Sequence, residues 1–445
     1  MKTNDILEIS TSLAAGSLTL FLGTGFSKHM TNGEAPSWLE LLYDCAIHID
    51  ETNEIVNDLF IKDQGKLESC KFNLTVCAQI LEEEYLKQGK NIREKISEII
   101  KEKINIDTID KEKVKQFKEL LEKHNEINII TTNYDSIITD FILPLSSKVV
   151  VEGSLIPKLF DVKPVFHIHG SIINPESIVL TEADYFNFLH KESYMSRKLF
   201  TIIQETTIVI MGYSLGDFNL NRILNEAKGF KTNTIRKSDI YYLNRDVVND
   251  FYQSYFYTTF GVSVIDETTI NGFVKLVSRK FSSAKALVKK AKRFPMIMEG
   301  QKRYTDNFLK LNQSFSNILL LADAQGYSFE DDLFKELIID ILNRKRKFTM
   351  EDGAWNQYEH LANWLVQLGR LYDVENTKIE REFLNLVEYS FDHMSEKLYF
   401  GFSWKAHSIW QSNWNSLTSR NKDLIKKLVE EVHFDSKNAV EKIFQ

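Results

Sequence analysis

This sequence predicts an α/β fold with a Rossmann-like parallel sheet, followed by an all-α C-terminal domain. Three observations carry that prediction. Short β-branched runs recur through the first 270 residues and then stop. Several of them are apolar at consecutive rather than alternate positions, as strands buried on both faces are. Helix-like stretches lie between the runs, and strand–helix–strand alternation builds a layered α/β sandwich.

The first run is LTLFL (18–22). The others are INIITT (127–132), KVVVEG (148–153), VFHIHG (165–170), TIVIMGY (207–213), DIYYLN (239–244) and GVSVI (261–265). Among the helical stretches, SWLELLYDCAIHI (37–49) opens on a serine N-cap just after Pro36. KVKQFKELLEKH (113–124) and DFNLNRILNEA (217–227) carry apolar residues at helical spacing. Residues 51–123 hold almost no strand signal and read as a helical insertion, a small lobe over one end of the sheet. After about residue 285 the chain reads as helical throughout, and AWNQYEHLANWLVQLGRLY (354–372) has large apolar residues at i, i+3, i+4 and i+7. The basic stretch RKFSSAKALVKKAKRFP (279–295) marks the boundary, where Pro295 would stop a helix. The expected domains are therefore 1–285 and 286–445.

The chain has 445 residues, 43% of them hydrophobic and 26% charged, so it can bury a substantial core without staples. Its net charge of −7 gives no global attraction for DNA or an acidic membrane. Cys45, Cys70 and Cys77 form no CxxC pair and are odd in number, which fits a reducing compartment and provides no four-cysteine zinc site. The N-terminal MKTNDILEIS lacks a basic start and an apolar run, and no apolar stretch is long enough to span a bilayer. The expected location is the cytoplasm.

Four motifs sit where strands end. In FLGTGFS a strand runs into Gly23, Thr24, Gly25 and then Ser27. The bare backbone lets a phosphate or ribose come close, although a glycine turn after a strand is by itself commonplace. In IITTNYDS a strand delivers Thr131, Thr132, Asn133, Tyr134 and Asp135 to the end where open α/β sheets bind ligands. Asn133 there can donate to and accept from ribose hydroxyls or hold a water, and Asp135 can accept from an amide; both could equally cap the helix that follows. In FHIHGS alternation places His167 and His169 on one strand face, with Gly170 beyond. Histidine suits general-base work near neutral pH, while a metal pair or a packed core histidine are the alternatives. In IVIMGYSLGDFNL a strand ends at Gly212, Tyr213 and Ser214, and Asp217 leads a helix. Each motif is modest alone. Their convergence on successive strand ends is the case for a nucleotide crevice.

GTGFS, TTNYD, HIHG and GYS, in this order, resemble the motifs of the sirtuin-like superfamily over roughly residues 15–270. PSWLELL (36–42), LTEADY (180–185) and GYSLGDFNL (212–220) resemble the bacterial antiphage-defence branch, with its Thoeris-type effectors. Deacetylase sirtuins carry two CxxC pairs for a structural zinc, and this chain carries none. What the resemblance implies is a sirtuin-type domain that hydrolyses NAD+ to nicotinamide and ADP-ribose without a metal. It implies Gly23, Gly25 and Ser27 around the phosphates, Thr24 and Thr132 among the NAD-binding residues, and Asn133 on the ribose and the attacking water. It further implies Asp135 on the carboxamide, His169 as general base, Gly212 and Ser214 at a ribose or phosphate, and Asn244 towards the adenosine.

An NAD+ hydrolase that is always active kills its host, so restraint by autoinhibition, a required oligomer or a second protein is expected; the resemblance implies an oligomer and a companion such as an ATPase, a nucleotidase or a phage-sensing protein. Assembly into a homo-oligomer is expected of residues 286–445. Five of the six tryptophans lie there, read as core rather than as a partner surface. The basic runs at 279–303 and NRKRKF (343–348) read as solvated faces, with nucleic-acid contact the lesser reading. The competing functions are an NAD-dependent deacylase or ADP-ribosyltransferase, and a non-catalytic module that senses NAD or ADP-ribose.

Overall fold

The computed structural model describes residues 2–50, 52–158, 161–190, 193–213, 221, 224–225, 228, 235, 239–398, 401–432, 434 and 437–444. Its strands are β1 (Leu18–Leu22), β2 (Phe60–Asp63), β3 (Lys66–Cys70), β4 (Asn128–Thr131), β5 (Ser147–Val150), β6 (Lys163–His167), β7 (Thr207–Met211), β8 (Ile240–Leu243) and β9 (Val262–Ile265). Among the described residues seven of them form one sheet in the order β5-β6-β4-β1-β7-β8-β9. Every pairing in that sheet is parallel. The fold is thus the Rossmann-like one that the consecutive apolar runs predict.

Burial on both faces explains those runs. All five residues of β1 are buried. Leu18, Leu20 and Leu22 face a core with Ile9, Leu13, Phe117 and Phe273. Phe21 faces the opposite core, with Ile130, Phe166, Leu199 and Ile210. β1 lies at the centre, where the chain order turns from one side of the sheet to the other, and ligands in such sheets bind at the strand C-termini of that point.

The helix Trp38–Ile49 leads into the insertion, which is mostly helical, as expected, through Glu54–Leu59, Leu74–Lys87 and Ile92–Lys103. These pack around Leu42, Cys45, Ala46, Cys77, Leu81 and Ile96. Ser37 caps the first of them in a reciprocal box with Glu40, so the N-cap reading holds. One expectation needs correcting. Residues 51–123 contain the antiparallel hairpin β2–β3, which turns through Gln64 and Gly65 at φ +47° and +81°. Both turn residues are left-handed, the geometry that favours a two-residue hairpin loop. The strands are short and their side chains largely exposed, so no apolar run announces them.

The described chain separates into two compact units. One comprises residues 1–231 with 238–285, the other 232–237 with 286–445. The second unit is built on helices including Asp332–Thr349, Trp355–Leu371, Glu380–Asp392 and Trp404–Asn413. Trp364, Trp410 and Trp414 are buried in its core, whereas Trp355 and Trp404 are exposed. Pro295 does not stop the preceding helix. That helix ends at Ala291, and Pro295 sits in the first turn of Phe294–Met298, where its missing N–H costs nothing. The patch NRKRKF is not a solvated face either. Lys345 is fully buried, donating to the Leu309 carbonyl at 2.9 Å and Gln357 Oε1 at 2.8 Å, with its ammonium 4.6 Å from the Trp364 ring centre. Among the described residues no helix is long and apolar enough to cross a membrane.

Candidate active site

Sheet register brings the motifs to one level. Leu22 pairs with both Thr131 and Met211, Thr131 with His167, and Met211 with Leu243. The next residue along each strand is therefore Gly23, Thr132, Gly212, Ile168 and Asn244, all at the C-terminal edge.

The glycines answer to packing between two turns. Gly23 N–H donates to the Met211 carbonyl at 3.0 Å, and Gly25 N–H to the Gly212 carbonyl at 2.6 Å. A Cβ on Gly23 would lie 2.6 Å from the Gly212 oxygen, and one on Gly25 would lie 2.8 Å from Gly212 Cα. Gly212 itself has φ +65°, and a Cβ there would fall 2.0 Å from the Phe26 nitrogen. The side-chain faces of Gly23 and Gly25 are thus closed by the β7 turn rather than open to a phosphate. That revises the reason, drawn from sequence alone, for the bare backbone.

Ser27 is the hub of a polar network beneath the turn. Its hydroxyl donates to Asp135 Oδ2 at 2.6 Å and accepts from Asn133 Nδ2 at 2.8 Å. Asn133 Nδ2 also donates to the Gly23 carbonyl at 2.9 Å. A backbone carbonyl only accepts, so this bond fixes which end of the amide is nitrogen. The backbone of Asn133 donates to Thr131 Oγ1 at 3.0 Å, and Thr131 Oγ1 donates to the Leu22 carbonyl at 2.9 Å. Both amide protons of Asn133 are therefore engaged. Its Oδ1 is buried, with no hydrogen-bond partner among the described residues. Asn133 can accept from a ligand but not donate to one, a narrower role than the sequence suggests. It does not cap the next helix. Asp135 does part of that work, accepting from Ile137 N–H at 3.1 Å. Burial pushes the Asp135 carboxyl above its ordinary value, against the lowering effect of the Ser27 hydroxyl and the Ile137 N–H.

The two histidines diverge. β6 ends at His167, so His169 lies in the turn beyond it and not on a shared strand face. His167 is 2% exposed, and its Nδ1–H donates to the Asn133 carbonyl at 2.9 Å. Burial lowers its imidazole from 6.5 to about 4, outweighing that hydrogen bond. Between those values the unfolded chain binds a proton that the folded one refuses, so stability falls as pH drops from 6.5 to 4. The expected loss is about 3 kcal/mol, to be read from urea midpoints against pH and diminished in His167→Gln. His169 is the cleft histidine. It is also largely buried, and its ring meets Tyr185 at 5.4 Å and Phe188 at 5.8 Å, both edge to face.

A cleft of about 1630 Å³ covers these strand ends. Thr24, Gly25, Thr132, Asn133, Asp135, His169, Gly212 and Asn244 all line it. Gly23 and Ser27 support it from beneath, Ser27 being 2% exposed. Ser214, Asp217 and most of the helix expected at 217–227 lie outside the described residues. Sequence reasoning gave no role to Trp38 and Tyr185, which also line the cleft and stack on each other at 5.9 Å. Their signal was present, since they stand in PSWLELL and LTEADY. Phe72, just past the hairpin, had none. Asp184 of LTEADY accepts from the backbone N–H groups of Leu180 and Thr181, at 3.0 Å each, and so caps the helix Glu182–His190. Among the described residues no three His, Cys, Asp or Glu side chains gather as metal ligands.

Comparison with known proteins agrees with this geometry. Residues 127–265, from the start of β4 to the end of β9, match the SIR2-like domain family, a match that leaves the glycine turn after β1 outside it. Defense-associated sirtuin 2 of Bacillus subtilis is 30% identical over 118 residues, which make up 25% of this chain and 12% of that relative. The chain thus spans a small part of the relative's length. A parallel sheet, four strand-end motifs at one level and these two matches make the sheet region similar to the SIR2-like domain, and part of the chain similar to a defence-associated sirtuin.

Proposed function

We propose that this chain is an NAD+ glycohydrolase, which cleaves NAD+ to nicotinamide and ADP-ribose and defends against phage by depleting the dinucleotide. One observation carries the reading: Asn133, whose buried Oδ1 has no hydrogen-bond partner among the described residues, and His169 line the same cleft. The donor set fits the substrate. In this reading Asn133 Oδ1 accepts from a ribose hydroxyl or a water, and Asp135, which also lines the cleft, accepts from the carboxamide. A cleft larger than the roughly 300–1,000 Å³ usual for small-molecule sites has room for a dinucleotide.

Cleavage of the N-glycosidic bond passes through an oxocarbenium-like ribose, as in glycoside hydrolysis. Nicotinamide leaves as a neutral molecule from a cationic ring and needs no acid. The protein then has to hold a water, accept its proton and present fixed dipoles to the developing charge, work for which His169 and Asn133 are suited. In this reading residues 286–445 govern assembly or engage a companion protein; a chain fully active as a monomer by mass photometry would argue against that.

The test is purified protein with NAD+, with products identified by mass spectrometry, beside His169→Ala. Nicotinamide and ADP-ribose from the wild type, reduced about 100-fold or more in the variant, is the expected outcome. Equal turnover in the variant would remove His169 from the mechanism. Transfer of the acyl group of an acylated peptide to ADP-ribose would favour the deacylase, transfer of ADP-ribose to a peptide the ADP-ribosyltransferase, and tight binding without cleavage the sensor.

A further inference from the structure

Tyr185 has a placement that its position in the sequence does not explain. Its ring contacts both the indole of Trp38, stacked at 5.9 Å and 17°, and the imidazole of His169, edge to face at 5.4 Å and 64°. Phe188, on the same helix, meets that imidazole at 5.8 Å and 89°. The helix bearing both rings is pinned at its start by Arg93 of the helical insertion. The Arg93 guanidinium pairs with Asp184 at 2.6 Å, donates to the Ile178 carbonyl at 3.1 Å and pairs with Glu82. Its side chain is only 14% exposed, where a forked, charge-assisted contact holds geometry well. Asp184 thus has two duties, capping the helix and receiving Arg93. One guanidinium from the insertion fixes the segment that forms the wall beside His169.

We propose that Tyr185 is a positioning residue for His169 and decides which nucleophile reaches it, admitting water and excluding bulkier acceptors; the acceptor part rests on the hydrolase reading above. In that reaction a water oxygen bonds to C1′ of the ribose. The C1′–N bond breaks with its electron pair going to the nicotinamide nitrogen, and the water's proton passes to His169. An alcohol in place of water gives the alkyl glycoside of ADP-ribose with the same balance. The alcohol's carbon needs space beside the imidazole, and the Tyr185 ring occupies space there.

The experiment uses the full chain, NAD+ and dilute methanol, with methyl-ADP-ribose and ADP-ribose separated by mass. Tyr185→Phe keeps the ring and is expected to hold the wild-type product ratio within about twofold. Tyr185→Leu is expected to raise the methyl product share about threefold or more and lower kcat about tenfold, with KM for NAD+ little changed. Arg93→Gln frees the clasp and is expected to raise the share by about twofold. An unchanged ratio in Tyr185→Leu, or in Arg93→Gln should the first variant not fold, overturns the proposal. So does a lowered kcat with the ratio unmoved, which a merely structural role would give. A wild type that releases no nicotinamide sinks the hydrolase reading and the acceptor preference with it. The positioning role is then decided by the ring-proton signal of His169 in histidine-labelled protein, assigned by its loss in His169→Gln. Movement of that signal in Tyr185→Leu but not in Tyr185→Phe supports the placement, and a signal unmoved in Tyr185→Leu overturns it.

Discussion

Asn133→Ala is expected to reduce NAD+ cleavage by about 100- to 1,000-fold, the loss typical of removing one preorganised polar group from a reacting centre. It also carries a structural cost. The Asn133 amide donates to the Gly23 carbonyl and to Ser27 Oγ, and truncation removes both bonds, while the Gly23 carbonyl keeps the Phe26 N–H at 2.8 Å. That costs about 1–3 kcal/mol. Asn133→Asp is expected to be worse for stability than Asn133→Ala despite its matching shape. It turns a carboxylate oxygen towards the Gly23 carbonyl, acceptor against acceptor, with the Asp135 carboxyl bonded to the same Ser27 hydroxyl. Nicotinamide release and thermal midpoints on the three proteins read both effects. Turnover retained in a folded Asn133→Ala would remove Asn133 from the chemistry.

Gly212→Ala is expected to destabilise the sheet unit by about 3–5 kcal/mol, from a left-handed backbone and a steric clash together. Its Cβ would sit 2.0 Å from the Phe26 nitrogen and 2.6 Å from the Gly25 carbonyl carbon. Both are backbone atoms, held by the Gly25 N–H bond to the Gly212 carbonyl, so relief requires the two turns to part. Gly33 is the control. It has φ +103°, but a Cβ there meets nothing within 4 Å. Gly33→Ala should therefore show only the conformational penalty, about 1 kcal/mol. Urea midpoints followed by tryptophan fluorescence and circular dichroism separate the two. Equal midpoints for Gly212→Ala and Gly33→Ala would mean that the turns are not locked together.

Much of the candidate site was legible before any coordinates, because it is built from strand ends. A strand buried on both faces is a run of consecutive apolar residues, and the small or polar residues where it stops must be a turn at the sheet edge. Asn133, Asp135, His169 and Asn244 were found that way, and each lines the cleft. The hairpin β2–β3 was not. Its strands are short and mostly exposed, so burial imposed no pattern on them. Lys345 escaped for the opposite reason: a lysine in a basic run looks solvated until a buried carbonyl and a glutamine are seen to receive it.

What the sequence determined by itself was the alternation of strand and helix, the passage to an all-helical region and the residue types at the strand ends. These depend on local periodicity, which the chain carries in its order. The tertiary structure alone decided which residues share the cleft and what each can still offer. Register placed Leu22, Thr131 and Met211 side by side, and with them three distant turns. Contact between two of those turns explains Gly23, Gly25 and Gly212 through backbone packing. The bonds from Nδ2 to Gly23 and Ser27 leave Asn133 an acceptor only, and the end of β6 after His167 separates two histidines that alternation would have paired. Hydrogen-bond capacity is spent between residues about a hundred positions apart, and no local pattern records where it goes.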